Sequence, residues 1–299
     1  MRSSPPLLAV TDLMVGFERY ARGLGRDALI VVEGMSLTVA AGEVVALVGA
    51  SGAGKTLLAH AVLGQLPSTS VESGEVAWRG EVLGAASRAR LAGREIALLP
   101  QSLTALDPTA TVGAQVRRSA RLLGVEVEAA FEMLRTSGLE DSVRRLYPHQ
   151  LSGGMARRVL RTMALVGDPA LVIADEPTPG LGRREADDVL DLLRAQADAG
   201  RGVLLITHDL DVALRVTDRL VVARAGRTVA EAPAADFVGD GSRVSDPYAR
   251  ALWNALPSNG FRLPGVVAVS PSGPDAVRGE CFEGPFEEPV EEPVEESPC

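Results

Sequence analysis

The stretch Gly49-Ala50-Ser51-Gly52-Ala53-Gly54-Lys55-Thr56 decides the fold, because it fits G-x-x-x-x-G-K-[ST] directly after the apolar run Val44–Val48. The run predicts a buried strand, and Leu57–Leu66 predicts the helix that follows. Glycines permit a tight turn whose backbone N–H groups face a phosphate at the start of that helix. In this pattern the lysine reaches the β- and γ-phosphates and the threonine hydroxyl binds Mg²⁺. The predicted phosphate contacts are Gly49, Ser51, Gly52, Ala53, Gly54, Lys55 and Thr56.

The use of lysine supports this interpretation over a turn that merely joins a strand to a helix. Lys55 is the only lysine in the chain, so 30 − 1 = 29 of the basic residues are arginine. A compact ammonium enters a nest of backbone N–H groups more readily than a planar guanidinium. The lone lysine therefore predicts a phosphate contact.

Composition limits the class of protein. The 299 residues are 46% hydrophobic and 23% charged, which is typical of a soluble globular protein. No apolar run approaches the ~20 residues of a membrane span, and the N-terminus lacks a signal peptide, so a cytoplasmic protein is expected. Residues 281–299 hold seven Glu and no Lys or Arg, which leaves −9 + 7 = −2 on the rest. A nearly neutral body without a basic stripe predicts no nucleic-acid partner.

The order of strand and helix patterns predicts an α/β fold with two additions. Residues 7–17 and 29–39 predict two antiparallel strands at the N-terminus, and 74–83 another strand. Helical spacing dominates from about 102 to 165, between strands at 96–99 and 171–174. Strands that alternate with helices predict a parallel core. Further elements are predicted at 112–123, 127–137, 152–165, 184–199, 203–206, 220–223, 227–230 and 246–257.

The end of the chain has a different composition. Glu-Glu-Pro-Val occurs at 287–290 and again at 291–294. Such a low-complexity acidic segment lacks the apolar residues for a core. We therefore predict a domain over 1–257, with a helical subdomain inserted at about 102–165, and a disordered Pro/Glu-rich tail over 258–299.

Two carboxylates follow the buried run Leu171–Ala174. Asp175 is predicted to hold Mg²⁺ through water, and Glu176 to polarise the attacking water. A buried strand with acidic residues after it is common by itself. Together with the phosphate loop it indicates a nucleoside triphosphatase.

Leu151-Ser152-Gly153-Gly154-Met155 opens a predicted helix, and by itself it could be a simple loop and N-cap. With the other motifs in order, the chain over about 7–257 resembles the ATP-binding cassette (ABC) ATPases, whose signature is Leu-Ser-Gly-Gly-Gln. The resemblance implies a P-loop NTPase with a RecA-like core, an N-terminal antiparallel β subdomain and an inserted helical subdomain. It also implies that Ser152, Gly153 and Gly154 bind the ATP held by the phosphate loop of a second cassette.

Other family motifs fall on single residues. Gln101 matches the Q-loop glutamine, which senses Mg²⁺ and nucleotide and contacts membrane subunits. His208 matches the H-loop histidine, which contacts the γ-phosphate and orients Glu176. Phe17, chosen over Tyr20, matches the aromatic residue that stacks on adenine, although ordinary strand packing would also explain it.

Flanking residues resemble the peptide, nickel and opine importer branch. They are Leu98–Gln101 through Pro108, Tyr147–Gln150 and Asp246–Leu252. This resemblance implies that the chain binds ATP and Mg²⁺. It implies three kinds of partner: a second ATPase subunit, identical or homologous; two permease subunits; and an extracytoplasmic substrate-binding protein. It also implies that the chain is attached peripherally at the cytoplasmic face of the membrane.

The chain departs from the family pattern at several positions. Gly182 stands where the D-loop usually has Asp, and Met155 replaces the signature Gln. Cys281 and Cys299 supply too few thiolates for the iron–sulfur cluster of some branch members, so no cluster is expected. The altered D-loop keeps open the alternative of a regulatory or catalytically weak partner cassette. An exporter subunit is a further alternative, against which the segment Asp246–Pro257 argues.

Overall fold

The computed structural model describes residues 5–20 and 26–259, all within one compact unit. In chain order the strands are β1 (Leu8–Tyr20), β2 (Arg26–Val39), β3 (Val44–Gly49), β4 (Ser70–Trp78), β5 (Glu81–Val82), β6 (Ile96–Leu99), β7 (Leu171–Asp175), β8 (Gly202–Thr207), β9 (Arg219–Arg224) and β10 (Arg227–Pro233). The helices are α1 (Lys55–Val62), α2 (Ala85–Leu91), α3 (Val112–Leu123), α4 (Val127–Thr136), α5 (Gly153–Leu165), α6 (Arg183–Asp198), α7 (Leu210–Leu214) and α8 (Pro247–Asn254). Short 3₁₀ helices cover Leu103–Ala105, Asp141–Arg145, Pro148–Gln150, Ala234–Asp236 and Pro257–Asn259.

The strands form two sheets. An antiparallel sheet has the order β2-β1-β4-β5, and a larger sheet has the order β10-β9-β3-β8-β7-β6. In the larger sheet β9, β3, β8, β7 and β6 run parallel, and β10 pairs antiparallel with β9. The C-terminal ends of β3, β6, β7 and β8 therefore lie at one edge, where open α/β sheets bind ligands.

The predicted strands of the parallel core are buried because both faces of the sheet are covered. Every residue of β3, β7 and β8 is buried. One face packs with the antiparallel sheet and α1 around Leu47, Leu58 and Ile173, and the other packs with α6 around Leu190 and Leu193. Burial on both faces explains why the sequences of these strands are continuous apolar runs.

A separate apolar cluster joins the helices between β6 and β7. Phe131, Leu134, Val116 and Val159 from α3, α4 and α5 form its centre. Helix α3 begins at the predicted residue because Thr111 accepts from the N–H of Ala114. The α/β fold class, with its parallel core, antiparallel N-terminal sheet and helical insertion, is confirmed.

Several predicted elements differ in detail. The strand predicted over 74–83 is interrupted at Arg79 and Gly80, whose positive φ values reverse the chain, so Val82 is 56% exposed and does not share the buried face of Val76 and Trp78. The helix predicted over 57–66 covers Lys55–Val62 and is followed by Gly64 at φ 63°. Helices α2 and α7 have no counterpart among the predictions.

The predicted division at residue 257 stays a prediction, as does disorder of the tail, because residues 260–299 lie outside the described part of the chain. Within the described residues, no helix is both long and apolar enough to span a bilayer.

Candidate functional site

The loop between β3 and α1 is built from glycines that cannot be replaced without a clash or strain. A Cβ on Gly49 would lie 2.3 Å from the carbonyl oxygen of Ala223. Gly54 caps α1 at φ 86°, and a Cβ there would lie 2.8 Å from Val32 Cγ2. Only glycine meets both demands at low cost, so the backbone N–H groups at the start of α1 are free to face a ligand.

Lys55 is buried and folds back on its own loop. Its Nζ donates to the carbonyl oxygens of Gly49, at 2.8 Å, and Ala50, at 3.1 Å. Burial lowers the pKa of this ammonium, and the carboxylates of Glu176 and Asp175 oppose the shift. A polyanion at the loop would satisfy the lysine better than these two carbonyl groups.

A cleft of about 690 Å³ lies over this loop. Its walls combine the loop, one residue of β2 and three predicted catalytic side chains. They are Val31, Ala50, Ser51, Gly52, Ala53, Gly54, Lys55, Thr56, Leu57, Gln101, Glu176 and His208. The structure thus brings Gln101, Glu176 and His208 to the phosphate loop, as the parallel topology requires.

Glu176 follows β7 with its backbone in the left-handed region, at φ 46°, and its N–H donates to the Ile206 carbonyl oxygen at 2.9 Å. Its Oε1 lies 2.8 Å from His208 Nδ1, and its Oε2 accepts from the Thr207 hydroxyl at 3.3 Å. A non-glycine residue held in this conformation is a feature of functional sites. Thr207, at the end of β8, and His208, directly after it, therefore fix this carboxylate at the cleft.

Asp175 lies at the end of β7 and is 5% exposed. Burial raises the pKa of its carboxyl, a hydrogen bond from the Thr56 hydroxyl opposes the shift, and the negative charge of Glu176 adds to it. Its Oδ1 has no hydrogen-bond partner within the described residues. An orphaned carboxylate oxygen beside a hydroxyl fits a hard cation such as Mg²⁺, which prefers oxygen ligands.

The signature residues lie elsewhere. Ser152 caps α5 by accepting from the N–H of Met155 at 3.2 Å, and the Met155 side chain packs on the apolar cluster of the helical insertion. Among the described residues, neither Ser152, Gly153 nor Gly154 lines the phosphate-loop cleft. Gly154 instead lines a second cleft, of about 520 Å³, between α5 and α6.

Phe17 is also not among the residues that line the phosphate-loop cleft. It pairs with Leu29 and Ser70 in the antiparallel sheet and packs, partly buried, against the cluster around Leu47. Its stacking on a base stays a prediction, and the side chain of Tyr20 lies outside the described residues. Val31 is the residue of this sheet that reaches the cleft.

Sequence reasoning missed Val31 and Thr207. Val31 sits in an ordinary β-branched run, and nothing in its spacing distinguishes it. Thr207 ends β8 as a polar residue that is fully buried, and a hydroxyl directly before His208 was the signal that could have found it.

Comparison with known proteins agrees with this geometry. Residues 32–179 match the ABC transporter family. The chain is 36% identical over 296 residues to the probable peptide ABC transporter ATP-binding protein y4tR of Sinorhizobium fredii, covering 91% of this chain and 85% of that protein. The chain belongs to the ATP-binding subunits of ABC transporters. This family of ATPases is the one that the sequence motifs predicted.

Two further relatives of this ABC cassette extend the comparison. It is 39% identical over 284 residues to the oligopeptide transport ATP-binding protein OppD of Mycobacterium bovis, covering 89% of this chain but 45% of OppD. The cassette thus spans less than half the length of that relative. A solved ATP-binding subunit of an ABC transporter superimposes with a TM-score of 0.62 at 28% identity, covering 77% of this chain and 91% of the other.

Proposed function

We propose that this cassette is the ATP-hydrolysing subunit of an importer for peptides and that it couples ATP-driven pairing of two cassettes to movement of the permease. The contact between Glu176 and His208 at the wall of the phosphate-loop cleft carries this proposal. Through this contact the Glu176 carboxylate has a fixed orientation in the cleft that also holds Lys55, the only lysine of the chain. That is the arrangement needed to polarise water for attack on a bound phosphate.

Each residue of the cleft has its own role in ATP hydrolysis. The backbone of Gly49–Thr56 and the Lys55 ammonium hold the phosphates of ATP, and Lys55 leaves the carbonyl groups of Gly49 and Ala50 to do so. Thr56, Gln101 and, through water, Asp175 hold Mg²⁺, which neutralises phosphate charge when bound. Glu176 takes the proton of the attacking water, and His208 keeps the carboxylate in place.

A second cassette completes the site. By resemblance to the ABC ATPases, Ser152, Gly153 and Gly154 bind the ATP of the partner cassette, whose signature in turn binds the ATP of this one. Their position outside the phosphate-loop cleft supports this assignment. Contacts to the γ-phosphate favour the closed pair, and loss of phosphate after hydrolysis reopens it. The partner is a second copy or a homologous ATPase.

The relatives favour peptides as the cargo. OppD is named for oligopeptide transport, and y4tR is named a probable peptide transporter subunit; nickel and metal–opine complexes are the alternative cargoes. The remaining partners are two permease subunits and an extracytoplasmic substrate-binding protein, which place the cassette at the cytoplasmic face of the membrane.

The test is ATP hydrolysis by this chain reconstituted in liposomes with candidate permease subunits. Glu176→Gln is expected to lower turnover about 10²–10³-fold, since a general base contributes on this scale, while ATP still binds. Hydrolysis that continues unchanged in Glu176→Gln would refute the role of this carboxylate.

A second candidate, a catalytically weak partner cassette, is favoured by one observation. Gly182, which directly precedes α6, has no side chain where the family usually has a D-loop carboxylate. Under this alternative, ATP binds but turnover is low, and Gly182→Asp raises it. Turnover of the unaltered chain at rates of ~1 s⁻¹ or more, which are ordinary for enzymes, would exclude this candidate.

A further inference from the structure

The second cleft, between α5 and α6, lies beside the catalytic residues. Gln101 and Glu176 line both this cleft and the phosphate-loop cleft. Arg157 of α5 and Glu185 of α6 face it from opposite sides.

Glu185 reaches the starts of both helices. Its Oε2 accepts from the N–H of Gly182, the residue that precedes α6, at 3.4 Å. Its Oε1 lies only 3.1 Å from the position that a Cβ on Gly154 would take. Because residue 182 has no side chain, the carboxylate that caps α6 comes from the first turn of that helix, and its other oxygen lies beside the start of α5. A negative charge is favourable at both helix N-termini.

Arg157 connects α5 to the loop that precedes α6. From α5 its guanidinium donates to the carbonyl oxygen of Pro179 at 2.9 Å, within the loop that leads from Glu176 to α6. It also lies 3.7 Å from the position of a Cβ on Gly180. A hydrogen bond thus runs from α5 to the loop before α6, and a carboxylate of α6 lies beside the start of α5.

We propose that Arg157 and Glu185 are positioning residues that couple the loop 177–182 to the signature residues 152–154. The hydrogen bond of Arg157 ties α5 to the loop, and the Glu185 carboxylate fills the space beside Gly154, so the loop after the catalytic carboxylate and the start of α5 move as one unit. This inference rests on the proposed function, in which residues 152–154 bind the ATP of the partner cassette. We therefore expect Arg157 and Glu185 to affect the rate of ATP turnover and not the affinity for nucleotide.

Amide hydrogen exchange of the full chain tests this coupling directly. Glu185→Ala and Arg157→Ala are each expected to speed exchange in both segments, 153–158 and 178–183. A Glu185 that only caps α6 would change the second segment alone, and that result would overturn the coupling. Asp191→Ala is the matched control, because it removes an exposed carboxylate further along α6 in the same cleft.

Kinetics test the consequence. Both alanine variants are expected to lower kcat for ATP by about tenfold, the scale of one lost charge-assisted hydrogen bond, with KM unchanged within about twofold. Glu185→Gln and Arg157→Lys, which keep an acceptor and a donor, are expected to recover most of the loss. Unchanged kcat in both alanine variants would overturn the positioning role. A chain without any ATPase activity would refute the proposed function instead, and the exchange experiment would still decide whether the coupling exists.

Discussion

His208 Nδ1 lies 2.8 Å from Glu176 Oε1. Because a carboxylate only accepts hydrogen bonds, Nδ1 carries the proton in this contact. The two residues directly follow neighbouring strands, β7 and β8, which pair in parallel register from Leu171 to Asp175. The sheet itself therefore sets the distance between the carboxylate and the imidazole.

Removal of the imidazole is expected to reduce hydrolysis more than binding. In His208→Ala, Glu176 keeps only the longer contact to Thr207, so its carboxylate loses a fixed orientation. We expect kcat to fall about 100-fold, in the range of acid–base contributions, with ATP affinity little changed. His149→Ala is the control, an exposed histidine stacked on Tyr147 beside the signature. A raised KM with normal kcat would contradict this assignment.

Lys55→Ala is expected to weaken ATP binding by roughly 10–100-fold, the value of a hydrogen bond to a charged group. Lys55→Arg keeps the charge but replaces the compact ammonium with a planar group, so it is expected to recover little affinity. Titration calorimetry of both variants checks this. Full recovery by arginine would mean that the loop requires only positive charge.

Asp175→Asn is expected to stabilise the cassette without Mg²⁺ while abolishing the effect of Mg²⁺ on nucleotide binding. Burial raises the pKa of Asp175 in the folded chain. The folded state therefore holds this proton more tightly than the unfolded state does, and ionisation costs stability at neutral pH. Removing the charge is expected to add about 1 kcal/mol, because a neutral amide costs less to bury than an ionised carboxylate.

The pH dependence of this effect has a definite sign. The gain from Asp175→Asn is expected at neutral pH and shrinks as the pH falls through the raised folded pKa towards the ordinary value of 3.8. Chemical denaturation at several pH values without Mg²⁺ measures it. A gain that grows towards acid pH would contradict the raised pKa.

Gly49→Ala is expected to destabilise the cassette by about 1–3 kcal/mol, as overpacking does. The added Cβ meets the backbone carbonyl of Ala223, which no side-chain substitution removes. Gly52→Ala tests backbone strain alone, because Gly52 has φ 80° but no atom near the position of an added Cβ. We expect this variant to be destabilised by roughly 1 kcal/mol. Thermal denaturation that ranks the two variants equally would contradict the proposed clash.

The elements with strong local signals were predictable from the sequence. Helix α3 was predicted at its observed bounds because its residues follow a clear helical period, and the Thr111 N-cap fixes its start in the structure. The element predicted from residue 246 begins as α8, where the Asp246 carboxylate accepts from the N–H of Ala249 at 2.8 Å. The turn at Arg79 and Gly80 was missed because Val82 continues the alternating pattern of Val76 and Trp78 although the chain has reversed.

The sequence by itself determined the phosphate loop, the carboxylates after β7 and the histidine after β8, because each is a local motif that directly follows a buried apolar strand. Only the tertiary structure decided what stands beside them: Thr207 on Glu176, Val31 over the loop, and Glu185 beside Gly154. Those contacts join residues far apart in the chain, and their distances depend on sheet register and helix packing, which no local pattern encodes. The same packing places the signature residues outside the phosphate-loop cleft.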